Sequence, residues 1–307
     1  MDVRVFVEPQ LGATTRDQLR IATASEELGF DGFFRSDHFL TMGDRDGLPC
    51  PTDSWVSLAA VAMATSRIRI GTLVSSATFR HPSLLAIQAA QVDELSGGRV
   101  ELGLGTGWFE QEHTAYGFPF PAKRFGPFEE QLEIITGLWG TPLGQTYSFE
   151  GEHFRLQDAP ALPKPTQAHV PIIVGGRGPS RTPAFAARFA DEYNGFLAEP
   201  DELRGRFDRL DAACAAAGRG PGEIVRSIAI TTVVGRSSDE IATRAESAGI
   251  EPERLQRTGI ASTPAQAVDR IAGLADLGVT RIYLQLMDLR DLDHLELIAS
   301  EVLPHLR

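Results

Sequence analysis

The feature of this sequence that most constrains its fold is a regular alternation of short apolar runs with helix-length amphipathic segments. Short strands that are apolar on both faces, each followed by a helix, are typical of a parallel sheet covered by helices. Eight such units in 307 residues predict a closed (β/α)8 TIM barrel. The alternative is a doubly wound open sheet, which usually has a glycine-rich turn after its first strand, where this chain has Pro9–Gly12. The predicted strands are Val3–Val7, Asp31–Phe34, Ile68–Thr72, Val100–Leu104, Pro171–Val174, Glu192–Gly195, Ser227–Val234 and Arg281–Leu286.

Two segments interrupt the alternation, one after the fourth predicted strand and one after the seventh. Gly105–Pro165 contains one predicted helix, Phe128–Trp139, and one predicted hairpin, Tyr147–Leu156. Gly235–Ser262 shows no regular period and is predicted to be irregular. We expect both insertions to shape a substrate pocket on a single domain that spans residues 1–307.

Composition argues against several classes of function. The formal net charge is -12 and no basic run is interleaved with aromatic residues, which argues against nucleic-acid binding. No apolar run approaches the roughly 20 residues that cross a bilayer, and the N-terminus lacks the apolar core of a signal peptide. The two cysteines, Cys50 and Cys214, form no CxxC pair, so we expect neither a disulfide framework nor a thiolate zinc site. These features predict a cytoplasmic protein with no membrane partner and no bound metal.

Polar residues concentrate at the carboxyl ends of the predicted strands, where the active site of such a barrel lies. Asp37 and His38 follow the second strand, and Asp37 is a candidate for binding a cofactor. His38 is the candidate catalytic residue because an imidazole can take a proton from a hydroxyl as hydride leaves. The alternative is a histidine that only binds a loop backbone. Further candidates are Ser75, Thr106 and Gly107 for a cofactor, and Trp108, Glu112 and His113 for the substrate pocket.

A second candidate site follows the fifth predicted strand, where glycines lead directly into a helix. Free backbone N–H groups at a helix N-terminus bind phosphate, and nearby arginines would add positive charge. The alternative is a flexible loop with two solvated arginines. The residues predicted to bind an anion here are Gly175, Gly176, Arg177, Gly178 and Arg181.

Four segments carry a family resemblance: Gly29–Leu40, Arg67–Ala86, Asp93–His113 and Pro171–Asn194. In this order, they resemble the bacterial luciferase-like monooxygenase family, and most closely its subgroup that uses the deazaflavin coenzyme F420. The resemblance implies a (β/α)8 barrel that holds a flavin-type cofactor, with its phosphate at the loop after strand five.

The resemblance also implies roles for individual residues. The cofactor ring would lie against the third strand at Leu73, Val74 and Ser75, with a cis peptide bond between Leu73 and Val74. His38 matches an acid–base histidine of the sugar-phosphate dehydrogenases of this family. The chain departs from those enzymes at Met42, where they carry a tryptophan, and at Trp108, where they carry a glutamate, which leaves the substrate open.

The function that the resemblance implies is hydride transfer between coenzyme F420 and a small organic molecule. The alternative cofactor is FMN, in a monooxygenase whose reduced flavin comes from a separate reductase. Two further alternatives are a non-catalytic protein that binds the cofactor, and a phosphate-binding barrel isomerase or aldolase. No lysine stands at a predicted strand end, which weighs against Schiff-base chemistry. The resemblance also implies a homodimer.

Overall fold

The predicted (β/α)8 barrel is confirmed, and the open-sheet alternative is wrong. The computed structural model describes residues 1–42, 46–49, 51–220, 222–250 and 252–306. In the described part, the parallel strands β1, β2, β3, β5, β8, β9, β10 and β12 pair in that order, and β12 pairs with β1 to close the barrel. The strands are β1 (Asp2–Val7), β2 (Gly32–Arg35), β3 (Arg69–Thr72), β4 (Ser75–Ser76), β5 (Val100–Gly105), β6 (Tyr147–Glu150), β7 (Arg155–Ala159), β8 (Ile172–Gly175), β9 (Glu192–Phe196), β10 (Val225–Val234), β11 (Ile260–Ser262) and β12 (Arg281–Leu286).

Helices cover the outside of the barrel, and local capping explains several of their starts. The Thr14 side chain accepts the amide of Asp17 while the Asp17 side chain accepts the amide of Thr14. None of the helices in the described ranges is both long and apolar enough to cross a bilayer. The helices are α1 (Thr15–Glu27), α2 (Ser54–Ala64), α3 (Pro82–Ser96), α4 (Glu110–Tyr116), α5 (Phe125–Gly140), α6 (Arg181–Phe189), α7 (Pro200–Ala216), α8 (Ser238–Ser247), α9 (Pro252–Thr258), α10 (Pro264–Asp276) and α11 (Leu292–Glu301), with 3-10 turns at Pro9–Leu11 and Leu303–His305.

A bulge interrupts the third barrel strand, and the peptide bond between Leu73 and Val74 within it is cis, as predicted. The chain then resumes as β4, which pairs with β5. Two glycines of β5 make room for the bulge. A Cβ on Gly103 would lie 2.0 Å from the carbonyl oxygen of Thr72, and one on Gly105 would lie 2.8 Å from Cγ2 of Val74. A side chain at either position would therefore push the bulge away from β5.

Buried ion pairs close the amino-terminal end of the barrel. Arg4 Nη1 lies 2.5 Å from Glu101 Oε2, and Arg281 pairs with Glu192. Burial alone would raise the pKa of Glu101, but the charges of Arg4, Arg281 and Arg69 and the hydrogen bond from Arg4 together outweigh burial and lower that pKa to about 2. Since this end is filled, a ligand enters from the carboxyl ends of the strands. Between the two ends lies an apolar layer of Phe6, Phe34, Leu73, Ile173 and Tyr283.

The first insertion contains the predicted hairpin and helix, and also a short helix, α4, that was not predicted. The hairpin packs on α5, where the Tyr147 ring occupies the space that a side chain on Gly137 would need. The hairpin therefore lies against the helix layer, whereas α4 follows directly on β5 and stands at the mouth of the barrel.

The prediction that Gly235–Ser262 is irregular is wrong. This segment forms α8, α9 and β11, and β11 pairs in parallel with the end of β10. These elements share a small apolar core that is separate from the main core of the barrel. Local periodicity does not reveal this core because each element contributes only one fully buried residue to it, and these are Val233, Ala245, Leu255 and Ala261.

Candidate active site

His38 lies just beyond the carboxyl end of β2 and is hydrogen-bonded to Glu112 on α4. Its Nδ1 is 2.9 Å from Glu112 Oε2. The other carboxylate oxygen of Glu112 accepts the backbone amides of Phe39 and Leu40, which fixes the carboxylate in place. Nδ1 therefore carries a proton toward Glu112, and Nε2 is left to meet a ligand.

The surroundings of His38 stabilise its protonated form. Burial alone would lower the pKa of His38, but the hydrogen bond to Glu112 and the charges of Glu8 and Asp37 outweigh burial and raise that pKa. The side chain keeps 16% of its surface exposed. Nδ1 is thus fixed by Glu112 while the imidazole remains accessible, an arrangement suited to giving and taking a proton.

Asp37, predicted to bind the cofactor, is buried in an ion pair beside His38. Arg80 lies between two carboxylates, 2.5 Å from Asp37 Oδ2 and 2.5 Å from Asp53 Oδ2. Asp53 also caps α2 by accepting two of its first amides. Arg80 therefore links the His38 loop to the start of α2, and Asp37 contributes to the site by holding Arg80.

His113, expected in the substrate pocket, is buried and orders the loop after β5. Its Nδ1 lies 2.7 Å from the carbonyl oxygen of Phe109, so this nitrogen carries the proton and Nε2 accepts from the Thr78 hydroxyl at 2.5 Å. The Thr78 hydroxyl is 2.7 Å from Ser76 Oγ. A Cβ on Gly107 would lie 2.5 Å from that same oxygen. This chain of hydrogen bonds positions the backbone at Gly107.

Trp108 and Phe109 form an aromatic wall beside His38. Their ring centroids are 5.1 Å apart and their planes are inclined by 21°, which is a stacked arrangement. The imidazole of His38 meets both rings edge-on, at 5.9 and 6.1 Å. Trp108 is 61% exposed, so its indole is open to a bound molecule. Its assignment to the substrate pocket stays a prediction.

The three residues predicted at the third-strand bulge differ in their orientation. Leu73 and Val74 pack with the apolar layer inside the barrel. The Ser75 hydroxyl instead donates to Thr72 Oγ1 at 3.1 Å and accepts the indole N–H of Trp55 at 3.2 Å. Ser75 therefore points toward the helix layer, and a ligand can meet it only through its backbone.

The glycine loop after β8 presents backbone N–H groups and two guanidinium groups. Ser180 precedes α6, and its side chain makes no capping hydrogen bond. Arg177 lies over the Phe196 ring at 4.2 Å and Arg181 over the Phe125 ring at 5.2 Å. Neither guanidinium is within ion-pair distance of a carboxylate in the described ranges. Both arginines are thus held by aromatic faces while their charge stays available.

Sequence reasoning missed a chain of polar side chains at the ends of β1 and β12. Gln285 Nε2 donates to Glu8 Oε1 at 2.8 Å, and Gln10 donates to the other oxygen of Glu8. The Thr231 hydroxyl donates to Gln285 at 2.5 Å, and the Ser36 hydroxyl donates to Gln10 at 2.8 Å. The signal that could have found this chain is the position of Glu8, the first residue after a barrel strand.

Comparison with known proteins identifies the family of this barrel. Residues 1–251 match the family model described as luciferase-like monooxygenase, which is most of the chain. The chain belongs to the luciferase-like monooxygenase family.

Relatives of this luciferase-like protein differ in how much of it they cover. An F420-dependent glucose-6-phosphate dehydrogenase of Microbacterium testaceum is 30% identical over 319 residues, covering 94% of this chain and 93% of that protein. An uncharacterized protein of Mycobacterium tuberculosis is 36% identical over 151 residues, or 49% of this chain, and the match spans only about half of that relative, 51%. A solved F420-dependent secondary alcohol dehydrogenase, in complex with an F420-acetone adduct, has a TM-score of 0.85 at 20% identity, covering 100% and 99% of the two chains. At this level of sequence identity, the similarity to the alcohol dehydrogenase shows a shared fold.

The luciferase-like barrel fits a flavin-type cofactor on its own geometry. The segment Gly175–Arg181 combines an uncapped helix start with two guanidinium groups that lack carboxylate partners, which are the donors that a phosphate requires. A Cβ on Gly178 would lie 2.6 Å from Thr182 Oγ1, so the loop depends on glycine for its path. Thr106 is half-buried, with its hydroxyl 3.4 Å from the carbonyl oxygen of Gly107. The assignment of these residues to a cofactor stays a prediction.

The described part of the chain holds no group of three or more His, Cys, Asp or Glu side chains arranged to bind a metal ion. Cys214 is buried in α7. Cys50 lies outside the described residues.

Proposed function

We propose that this luciferase-like protein is an oxidoreductase that transfers hydride between coenzyme F420 and a small organic molecule. The observation that carries the proposal is the His38–Glu112 pair at the barrel mouth, with Nε2 of His38 directed away from its partner. A pair of this kind serves proton transfer that accompanies hydride transfer. The similarity to an F420-dependent glucose-6-phosphate dehydrogenase over 94% of the chain supports the choice of cofactor.

In this reaction, the residues of the site would have the following roles. His38 Nε2 takes the proton of a substrate hydroxyl as hydride leaves the neighbouring carbon, and returns it in the reverse direction. Glu112 holds the imidazole and stabilises its charged form. The Gly175–Arg181 loop would bind the cofactor phosphate, and its arginines would meet the anionic tail. When bound, the deazaflavin supplies a ring carbon that accepts or donates the hydride.

Fluorescence titration with F420 and with FMN, at low and at high salt, tests the cofactor. We expect F420 to bind more tightly and its affinity to fall with salt, because exposed charges interact over only about 8 Å at physiological ionic strength. Tighter binding of FMN without salt dependence would favour the flavin monooxygenase. Binding of F420 with no turnover across a panel of donors and acceptors would favour a carrier protein.

Replacing His38 by alanine tests the acid–base role. We expect His38→Ala to lower turnover by roughly 10²-fold or more, the usual contribution of a positioned acid or base, while F420 affinity changes little. Steady-state kinetics and the same titration measure the two effects. Full turnover by a folded His38→Ala protein would assign this residue to loop structure instead.

A further inference from the structure

We propose that the substrate side of this mouth accepts an uncharged alcohol or ketone with a flat, apolar body and disfavours phosphorylated or carboxylated molecules. The proposal rests on the proposed function for its reaction, whereas the preference in binding follows from the walls of the mouth. It sets this protein apart from its glucose-6-phosphate dehydrogenase relatives, whose named substrate is an anion.

The first observation is the aromatic wall. Trp108 is more than half exposed although it stacks on Phe109 and lies 5.9 Å from the ring of His38. An exposed indole next to the proposed proton-transfer residue offers a flat apolar surface to whatever reaches that residue. A ring or conjugated group stacked there would place its oxygen next to Nε2 of His38.

The second observation is a negative charge on the opposite side of His38. Both carboxylate oxygens of Glu8 are bonded to side-chain amides, those of Gln10 and Gln285, and neither amide carries a charge. No described cation lies within ion-pair distance of Glu8, and the nearby guanidinium of Arg35 is buried against Ser57 and other oxygens outside the barrel. Glu8 thus has no direct ion-pair partner in the described ranges, and its negative charge disfavours an anion that approaches His38.

The third observation is that arginines around the mouth already have ion-pair or hydrogen-bond partners within the protein. Arg80 lies between two carboxylates. Arg124 donates to the carbonyl oxygens of Gly107 and Pro121. Arg290 donates to the carbonyl oxygen of Gly12. The guanidinium groups of Arg177 and Arg181 are assigned to the cofactor phosphate, so the arginines described at the mouth form no second cluster for a substrate phosphate.

The reaction that follows is balanced within the proposed function. A secondary alcohol loses the hydrogen on its carbinol carbon as hydride to the deazaflavin, and its hydroxyl proton passes to His38 Nε2. The carbon–oxygen bond becomes a carbonyl, and the alcohol is oxidised by two electrons while the deazaflavin is reduced by two. The reverse direction reduces the ketone.

The test uses two ligands of one shape that differ in charge, 4-acetylbenzamide and 4-acetylbenzoate, with glucose 6-phosphate as a third. Binding to the purified protein is followed by tryptophan fluorescence and by calorimetry, without turnover. We expect 4-acetylbenzamide to bind at least about tenfold more tightly than 4-acetylbenzoate, which corresponds to about 1.4 kcal/mol. Equal or tighter binding of 4-acetylbenzoate or of glucose 6-phosphate, or no binding of either acetyl compound, would overturn the proposal.

Two variants and one control locate the effect. Glu8→Gln should bring the ratio of the two affinities to within about threefold, mainly by improving 4-acetylbenzoate, since it removes the repelling charge. Glu152→Gln, in an exposed part of the hairpin, removes the same charge elsewhere and should leave the ratio unchanged. Trp108→Leu should weaken 4-acetylbenzamide by about tenfold in calorimetry, as expected for the loss of an aromatic contact. An unchanged affinity in folded Trp108→Leu would contradict the aromatic wall.

Turnover separates this proposal from the proposed function. Neutral-ligand preference without any F420-dependent turnover would refute the redox function and leave the binding preference intact. F420-dependent oxidation of glucose 6-phosphate by a protein that does not bind 4-acetylbenzamide would support the redox function and refute the binding preference.

Discussion

At the scale of single residues, Glu112 sets the protonation of His38. Its carboxylate binds Nδ1 at 2.9 Å and contributes to raising the pKa of the imidazole. Glu112→Gln keeps the shape and removes the charge, so we expect that pKa to fall. A base works in its deprotonated form, so the rising limb of alcohol oxidation should move to lower pH. The pH profile of kcat/KM and an NMR titration of His38 measure this. An unmoved limb would contradict it, and Glu110→Gln, exposed on the same helix, is the control.

A second single residue, Glu26, anchors the turn before β3. Burial alone would raise its pKa, but hydrogen bonds from the amides of Ile68, Arg67 and Ser66 outweigh burial and lower it to about 2. A lowered pKa stabilises the fold above the ordinary value and ceases to do so as pH falls toward 2. We expect Glu26→Gln to lower Tm at pH 7 by about 2 °C, and the difference from the native protein to shrink below pH 4.5. Thermal melts across pH test it, with exposed Glu27→Gln as the control; a difference independent of pH would refute it.

At the scale of an element, the glycine loop after β8 has little room for a side chain and offers hydrogen-bond donors to a phosphate. A Cβ on Gly176 would lie 3.1 Å from the Thr182 side chain, so a branched residue must displace either that side chain or the bound phosphate. We expect Gly176→Val to weaken cofactor binding by at least about tenfold while the protein still folds. Gly140→Val, where a Cβ meets nothing within 4 Å, is the matched control. Native affinity in folded Gly176→Val would remove the loop from the cofactor site.

At the scale of the whole molecule, α2 and α3 leave an apolar face uncovered. Val56 and Met63 on α2 are 70% and 68% exposed, and Leu84 on α3 is 48% exposed. The sequence of α2 is apolar on nearly every side, as in a helix covered on both faces. We propose that a second copy of this chain covers α2 and α3, in agreement with the homodimer that the family resemblance implies.

The oligomeric state tests this proposal. We expect the native protein to have the mass of a dimer in light scattering, and Met63→Glu to give a folded monomer, because a buried unpaired charge opposes association. Leu143→Glu, at a position that is 76% exposed but located between α5 and β6, should leave the dimer intact. A monomeric native protein, or a dimeric Met63→Glu variant, would contradict the assignment.

The sequence by itself determined the barrel, the helix and hairpin of the first insertion, and the glycine loop. Each depends on residues close together in the chain, because strand or helix periodicity and glycines before a helix act over a few residues. The cis bond at Leu73–Val74 was also predicted, through a family pattern that is itself local.

Only the tertiary structure decided which polar groups meet. His38 and Glu112 are 74 positions apart, and Glu8 and Gln285 are 277 apart, so no local pattern links them. The same limit hid the contact of His113 with Thr78, which lies 35 positions away on the loop after β4. Closing the barrel brings the ends of β1, β2 and β12 together, and this closure converts scattered polar residues into a site.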